Sequence, residues 1–248
     1  MTARMARAFL GLAPLALISV AFAIEPAAIT PFSSAAPGAT LPAGWSLLLL
    51  PRRKAPEFTL VRDDGVTVLH VRSQAAVGSA AFRLEADPRA QGRLTWRWKI
   101  DHPLAAAHFG TKQGDDFAAR VYVTFDVPQA SLPFAARAKM TLAKLVYGAD
   151  LPAAAICYVW DNHQPVGTSA WNPYTDRLRM VVLESGNARA GEWVAESRDV
   201  EADFRAAFGS SWKGPTPAIN GVAVSSDTDQ TLESVNAWFG DLRLEGRP

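Results

Sequence analysis

Apolar and polar positions alternate in short runs along most of the chain. In the run 94–100, leucine and two tryptophans fall on one side, while Thr95, Arg97 and Lys99 fall on the other. The same two-residue period recurs in 121–125. Such alternation predicts β-strands that bury one face and expose the other.

Runs of this kind, bounded by turn residues, predict about eleven short strands. They cover 45–50, 58–62, 66–72, 80–84, 94–100, 121–125, 155–160, 177–184, 193–200, 219–225 and 237–244. Asp63-Asp64-Gly65 joins the second run to the third and predicts a hairpin, because a tight turn needs residues that tolerate positive φ. Frequent turn signals between short strands are typical of a sandwich.

Only two stretches have a helical pattern. Residues 132–147 follow Ser131, a suitable N-cap, and end at Gly148. In 202–208 the two phenylalanines are four residues apart and share a face. The fold class is therefore all-β: an antiparallel, jelly-roll-like β-sandwich with one or two short helices.

The N-terminus has the three parts of a secretory signal peptide. Arg4 and Arg7 precede an apolar run over 8–20, and small residues end the segment 1–23. A retained anchor is the alternative, but the run is shorter than the roughly 20 residues that span a bilayer. We expect cleavage, a periplasmic or secreted location and no stable membrane span afterwards. Residues 24–42 are rich in Ala, Pro, Ser and Thr and predict a flexible leader, and 43–246 a single sandwich domain.

Charge and composition exclude several functions. Loss of 1–23 would leave 23 basic against 24 acidic residues, a net charge of −1, which argues against nucleic acid as a partner. Cys157, the one cysteine, cannot form an intramolecular disulfide and is interpreted as a buried, inert thiol. The four histidines are scattered, and no phosphate-binding glycine loop is present. No cofactor is expected, although Ca²⁺ is a possible ligand.

Two groups of carboxylates are candidate binding residues. Asp115 and Asp116 form a polar turn just before the strand that carries Arg120, and Asp227 and Asp229 directly follow another strand. Oxygen donors at alternating positions suit a hydroxyl-rich ligand, or Ca²⁺ at Asp227 and Asp229. The alternative is an ordinary loop in which these side chains bond to their own backbone or to solvent.

A third candidate is the loop that surrounds 160–176. It combines rings with amides and carboxylates, as sugar recognition requires: apolar sugar faces stack on rings while hydroxyls bond to polar groups. Its candidate residues are Trp160, Asn162, Trp171, Asn172, Tyr174 and Asp176. The remaining tryptophans considered, Trp96, Trp98, Trp193 and Trp238, are assigned to core packing.

Several segments resemble a family of exported bacterial proteins known only as a domain of unknown function. They are Trp96–Trp98, 114–116 with 120–123, 158–160, 172–177, 184–186, 191–193, 203–204, 208–209, 227–229 and 238–241. Gln230 departs from the pattern, where Asn is expected. The resemblance covers about 41–244 and implies an exported, mostly β domain similar in style to galactose-binding-like jelly rolls. It implies no reaction.

Three functions remain open. The first is a non-catalytic binding module for a saccharide or other polar envelope ligand, with all the residues of the three candidate groups as its site. The second is a carbohydrate hydrolase or lyase in which Asp116 pairs with Asp227 or Glu184 as acid and base. The third is an envelope assembly or scaffold protein that binds a protein partner through an apolar patch.

Overall fold

The computed structural model describes residues 28–132 and 153–246, together with Phe134 and Arg137. The predicted signal peptide and nearly all of the predicted helix 132–147 lie outside these residues. Thirteen strands and one α-helix, α1, are found in the described part: β1 Trp45–Leu49, β2 Glu57–Asp63, β3 Val66–Gln74, β4 Gly78–Ala86, β5 Arg93–Ile100, β6 Phe117–Phe125, β7 Ala154–Asp161, β8 Ser169–Asn172, β9 Thr175–Ser185, β10 Val194–Asp199, α1 Val200–Phe208, β11 Ile219–Asp227, β12 Ser234–Phe239 and β13 Arg243–Glu245.

The strands form two sheets that pack as a sandwich. The seven-stranded sheet has the order β1-β4-β11-β6-β7-β9-β8, and the six-stranded sheet contains β10-β5-β12-β3-β2 with β13 paired to β5. The all-β sandwich is therefore confirmed. The short strand β8 was not predicted, and the run 237–244 divides into parts of β12 and β13.

All strand pairs are antiparallel among the described residues except β7 and β9. The chain leaves β7, forms the edge strand β8, and then turns back through Pro173 and Tyr174 into β9. Because β9 inserts between β7 and β8, it runs parallel to β7. Apart from this pair, the antiparallel prediction is confirmed.

The alternation of the sequence sets the faces of both sheets. Trp96, Trp98 and Tyr158 point between the sheets and belong to the main core, where Trp98 and Tyr158 have no exposed area. The hairpin between β2 and β3 also forms as predicted, with φ values of 51° at Asp64 and 78° at Gly65. These positive φ values explain the choice of Asp-Gly at the turn.

The described part of the predicted leader is packed on the sandwich. Phe32 lies in a 3₁₀ turn, is fully buried and contacts the ring of Trp45 at a centroid distance of 4.5 Å. Ser33 donates hydrogen bonds to Asp241 through its backbone N–H and its hydroxyl, at 2.9 and 2.6 Å. The prediction of a flexible leader is therefore corrected for 28–42, because one phenylalanine fixes this segment to the core.

In the described part of the chain, no helix has the length and apolar character needed to cross a membrane.

Candidate functional site

The carboxylates predicted beside β6 lie in a buried network on the outer face of the seven-stranded sheet. Arg120 is 2% exposed and donates from Nε and Nη2 to the two oxygens of Asp227, at 2.8 and 2.7 Å. Nη2 also donates to the backbone carbonyl of Asp115. The carboxylate of Asp115 accepts from Nδ2 of Asn172 at 2.8 Å. We call Asp115, Arg120, Asn172 and Asp227 the buried ion cluster.

Asp116 holds a neighbouring turn. It has no exposed area, and its Oδ2 accepts from the backbone N–H groups of Gln230 and Thr231 at 2.9 and 2.6 Å. A Cβ at Gly114 would clash with the backbone of His108, so glycine is needed for this close approach. Asp116 therefore ties the loop before β6 to the loop after β11 and does not line an open cleft.

The surroundings of the buried ion cluster are apolar. The Arg120 guanidinium lies 4.4 Å from the ring centroid of Phe117, next to a small core of Cys157, Val159 and Met180. Cys157 is buried as predicted, and this burial raises the pKa of its thiol to about 12. Burial, partly opposed by Arg120, raises the pKa of Asp227. The carboxylates of the buried ion cluster are therefore shielded from solvent and contribute to the stability of the fold.

The aromatic loop is also less open than the sequence indicates. Trp160 is 1% exposed and donates from Nε1 to the carbonyl of Gly186 at 3.1 Å, so its assignment as a stacking surface is wrong. Trp171 is half-buried and packs on Phe208 at 5.3 Å. Tyr174 is 51% exposed and donates its hydroxyl to the carbonyl of Lys112 at 2.9 Å.

The polar members of this loop have separate roles. Asn162 donates to the carbonyl of Ala107 at 2.9 Å, and so holds the loop before β6. Asp176 is exposed and pairs with its neighbour Arg177 at 3.1 Å. The candidate residues of this loop therefore lie in three different places: the core, the buried ion cluster and the surface. In the described structure they do not form one site.

An aromatic surface lies instead on the outer face of the six-stranded sheet. Trp238 of β12 is opposite His70 of β3 and Lys99 of β5, and Trp193 directly precedes β10. The rings of Trp238 and His70 stack at 4.9 Å with an angle of 18°. Lys99 Nζ lies 5.1 Å from the centroid of Trp193 and 4.7 Å from that of Trp238. We call Trp193, Trp238 and His70 the aromatic row.

The tryptophans of the aromatic row were assigned to core packing, and that prediction is wrong for both. Trp193 and Trp238 are half-buried, whereas Trp96 and Trp98 are buried as predicted. A signal for the row was present in the sequence: Val235, Ala237 and Phe239 alternate as a buried face, which places Trp238 on the opposite side.

A groove of about 480 Å³ begins beside the aromatic row, where β12 ends and leaves a gap between β3 and β5. Arg97 joins the two features, because it lines the groove and its guanidinium lies 4.3 Å from the Trp193 centroid. Among the other lining residues are Val66, Thr95, Ala195, Glu196 and Asp241. We call this the outer groove.

Most charges around these features are paired. Lys99 forms an ion pair with Asp63, which also accepts from Trp193 Nε1 at 3.4 Å. Arg97 lies 3.8 Å from Asp64, and Arg243 3.7 Å from Asp241. The surface therefore offers many hydrogen-bonding groups with little net charge.

One perturbed carboxyl borders the outer groove but points between the sheets, because Glu196 lies opposite the inward-facing Trp96 of β5. Burial, together with the nearby Glu184 carboxylate, raises the pKa of Glu196 to about 7. Glu184 is itself paired with Arg189 at 2.8 Å. Sequence reasoning proposed Glu184 but missed Glu196, because only the packing of β10 against the rest of the sandwich brings the two together.

Calcium binding is not favoured by the donor geometry. Both oxygens of Asp227 are bonded to Arg120, and Asp229 lies 3.5 Å from Arg53. Within residues 28–132 and 153–246, no three acids, histidines or cysteines are grouped as metal ligands. Ca²⁺ would have to displace a guanidinium at Asp227.

The comparisons with known proteins identify a family. Residues 43–243 match the model of DUF3047, described as a protein of unknown function, and the chain belongs to this family, which confirms the resemblance. No curated protein sequence matches the chain.

Three solved structures illustrate the similarity in fold. The xyloglucanase domain of NopAA from Sinorhizobium fredii is 9% identical with a TM-score of 0.47, over 87% of this chain and 100% of that one. Endoglucanase Cel12A from Rhodothermus marinus is 8% identical with a TM-score of 0.42, over 82% and 92%. The carbohydrate-binding module CBM28 is 13% identical with a TM-score of 0.37, over 82% and 87%. At these values the matches carry no argument about function.

Proposed function

We propose that this member of the DUF3047 family binds a neutral saccharide along the aromatic row and the outer groove. The observation that carries the proposal is the pair of half-buried tryptophans, Trp193 and Trp238, on one outer face of a sheet beside a groove of about 480 Å³. Export through the predicted signal peptide would bring this surface to envelope saccharides.

The chemistry of the surface fits a sugar. Indole rings provide apolar area that can cover the apolar faces of sugar rings. Thr95, Arg97 and Asp241 in the outer groove provide donors and acceptors for hydroxyl groups. A groove of about 480 Å³ beside two aromatic rings suits several sugar units better than one.

The charge pattern favours a neutral ligand over an acidic polysaccharide. Lys99 is neutralised by Asp63 and Arg97 lies near Asp64, so the cations beside the rings have acidic partners. A polyanion would have to compete with these carboxylates. A neutral saccharide can bond to the outward-facing polar groups without separating the ion pairs.

Calorimetric titration of residues 24–248 with neutral and acidic oligosaccharides tests the proposal. We expect binding of at least one neutral oligosaccharide, and about tenfold weaker affinity in Trp193→Ala, since loss of one stacking ring costs about 1.4 kcal/mol. Trp212→Ala is the matched control, because Trp212 is also half-buried but lies after α1.

Two results would contradict the proposal. One is the absence of binding across the neutral panel. The other is unchanged affinity in both Trp193→Ala and Trp238→Ala with reduced stability, which would show that the aromatic row only stiffens the sheet.

A hydrolase is the second candidate, and Glu196 is the observation that favours it. The Glu196 carboxyl, with a pKa of about 7, can hold a proton near neutral pH at the inner border of the groove, and Glu184 beside Arg189 provides a second carboxyl on the same inner side. Acid and base roles in glycosidases depend on such a division. This pair replaces the predicted use of Asp116 and Asp227, which are buried elsewhere.

The hydrolase is tested by incubating any bound oligosaccharide with the protein and measuring new reducing ends. We expect Glu196→Gln to abolish the release and to retain binding. If the unmodified protein releases no product from a saccharide that it binds, the hydrolase is excluded for that ligand.

A further inference from the structure

A second cavity opens at the edge of the sandwich, on the inner side of β9. It measures about 250 Å³ and lies between β9, β10 and α1. It is lined by Val166, Gly167, Ser169, Arg179, Val181, Leu183, Arg198, Asp203, Ala206 and Ala207. We call it the edge cavity, and we propose that it binds a small carboxylate with a compact apolar body.

The cation that would bind the carboxylate is Arg179. Its Nη2 donates to the hydroxyl and the carbonyl of Ser169, at 2.7 and 3.2 Å, and its guanidinium lies 5.1 Å from the ring centroid of Trp171. No carboxylate lies within ion-pair distance of Arg179 among the residues that the structure describes. Its position is therefore fixed while its charge lacks an acidic partner.

The second guanidinium of the cavity is already neutralised. Arg198 donates from Nε and Nη2 to the two oxygens of Asp203, at 3.0 and 2.6 Å. The hydroxyl of Tyr158 also donates to Asp203, at 2.7 Å. Since Asp203 is fully used by these two partners, the three charged groups of the wall leave one positive charge, at Arg179.

The remaining wall determines what kind of acid fits. Val181, Leu183 and Ala207 provide apolar area, and a volume of about 250 Å³ suits a ligand much smaller than an oligosaccharide. A planar guanidinium binds a carboxylate through two parallel hydrogen bonds. A short branched or aromatic monocarboxylate satisfies both the charge and the apolar wall.

The test is calorimetric titration of residues 24–248 with butyrate, isovalerate and benzoate, and with the neutral amides of the same acids. We expect at least one acid to bind, its amide to bind about tenfold more weakly or not at all, and Arg179→Gln to weaken the acid by a similar factor. Arg179→Lys, which keeps the charge but not the fork, should be intermediate.

Arg177→Gln is the matched control, because Arg177 is two residues away on β9 and pairs with Asp176. Melting temperatures establish that each variant is folded. Equal loss in Arg177→Gln and Arg179→Gln, equal binding of acid and amide, or no binding of any acid would each overturn the proposal. Unchanged acid binding in Trp193→Ala would keep this site separate from the proposed saccharide site.

Discussion

The outer faces of the two sheets use similar residues in opposite ways. On the seven-stranded sheet, Arg120 and its carboxylates are closed off, with Arg120 only 2% exposed. On the six-stranded sheet, the side chains of Arg97 and Asp64 are 31% and 73% exposed beside the aromatic row. The first face is covered by the loop before β6, whose Asp115 and Phe109 pack onto it, whereas the second keeps its rings and charges near solvent.

The difference shows that residue type does not decide whether a polar group binds a ligand. A buried carboxylate must accept its hydrogen bonds from groups inside the protein, because a buried acceptor without a partner is destabilising. A half-exposed carboxylate keeps lone pairs that water or a ligand can reach. Burial therefore assigns the buried ion cluster to stability and leaves the aromatic row accessible to the saccharide that we propose.

Arg120→Met provides the largest test of this contrast. Removal of the guanidinium leaves Asp227 buried without its cation, and we expect the free energy of unfolding to fall by about 3–5 kcal/mol. Urea denaturation measures it. Arg97→Met on the other face is the control and should cost about 1 kcal/mol or less, since its ion pair is solvated.

If Arg120→Met does not fold, the double variant Arg120→Met/Asp227→Leu keeps the test open. An apolar replacement of both partners should recover much of the lost stability. Equal costs for the Arg120 and Arg97 variants would mean that burial does not distinguish the two faces.

The pH dependence of Glu196 gives an intermediate effect. Its pKa is about 7 in the folded protein against an ordinary value of 4.5, so the folded chain binds the proton more tightly. The free energy of unfolding should therefore fall as the pH rises from about 4.5 to about 7, by on the order of 1 kcal/mol after screening by solvent.

Denaturation at a series of pH values measures this slope, and Glu196→Gln should flatten it. The charged groups that influence Glu196 are Glu184, Arg189 and Arg198, and they remain in this variant. Glu192→Gln, whose side chain is 66% exposed, is the control and should keep the slope. If the free energy of unfolding of Glu196→Gln keeps the same slope against pH, another group causes the pH dependence.

The smallest effect on the free energy of unfolding is expected at the ion pair between Arg53 and Asp229. Arg53 is 57% exposed and lies 3.5 Å from Asp229. Arg53→Gln should change the free energy of unfolding by less than about 1 kcal/mol, because the Arg53 side chain keeps most of its hydration even though the Asp229 side chain is only 8% exposed. A loss as large as that of Arg120→Met in the same denaturation assay would show that the network depends on its outer pair.

The residues that were predicted correctly share a local cause. Alternation placed Trp96 and Trp98 inside, and Asp64-Gly65 formed the expected hairpin turn. The failures have a non-local cause. Trp160 was expected at the surface and is buried, whereas Trp193 was expected in the core and is only half-buried.

The sequence by itself determined most of the strands, their buried faces and the all-β sandwich, because the two-residue period of a strand is a local pattern of apolar and polar residues. Only the tertiary structure decided which outer face is covered. A register shift near Asp227 and Phe117 turns the start of β6, and two residues distant in sequence, Asp227 and Asn172, bond to Arg120 and to Asp115 of the covering loop. Such coverage depends on contacts between segments far apart in the chain, which no local pattern encodes.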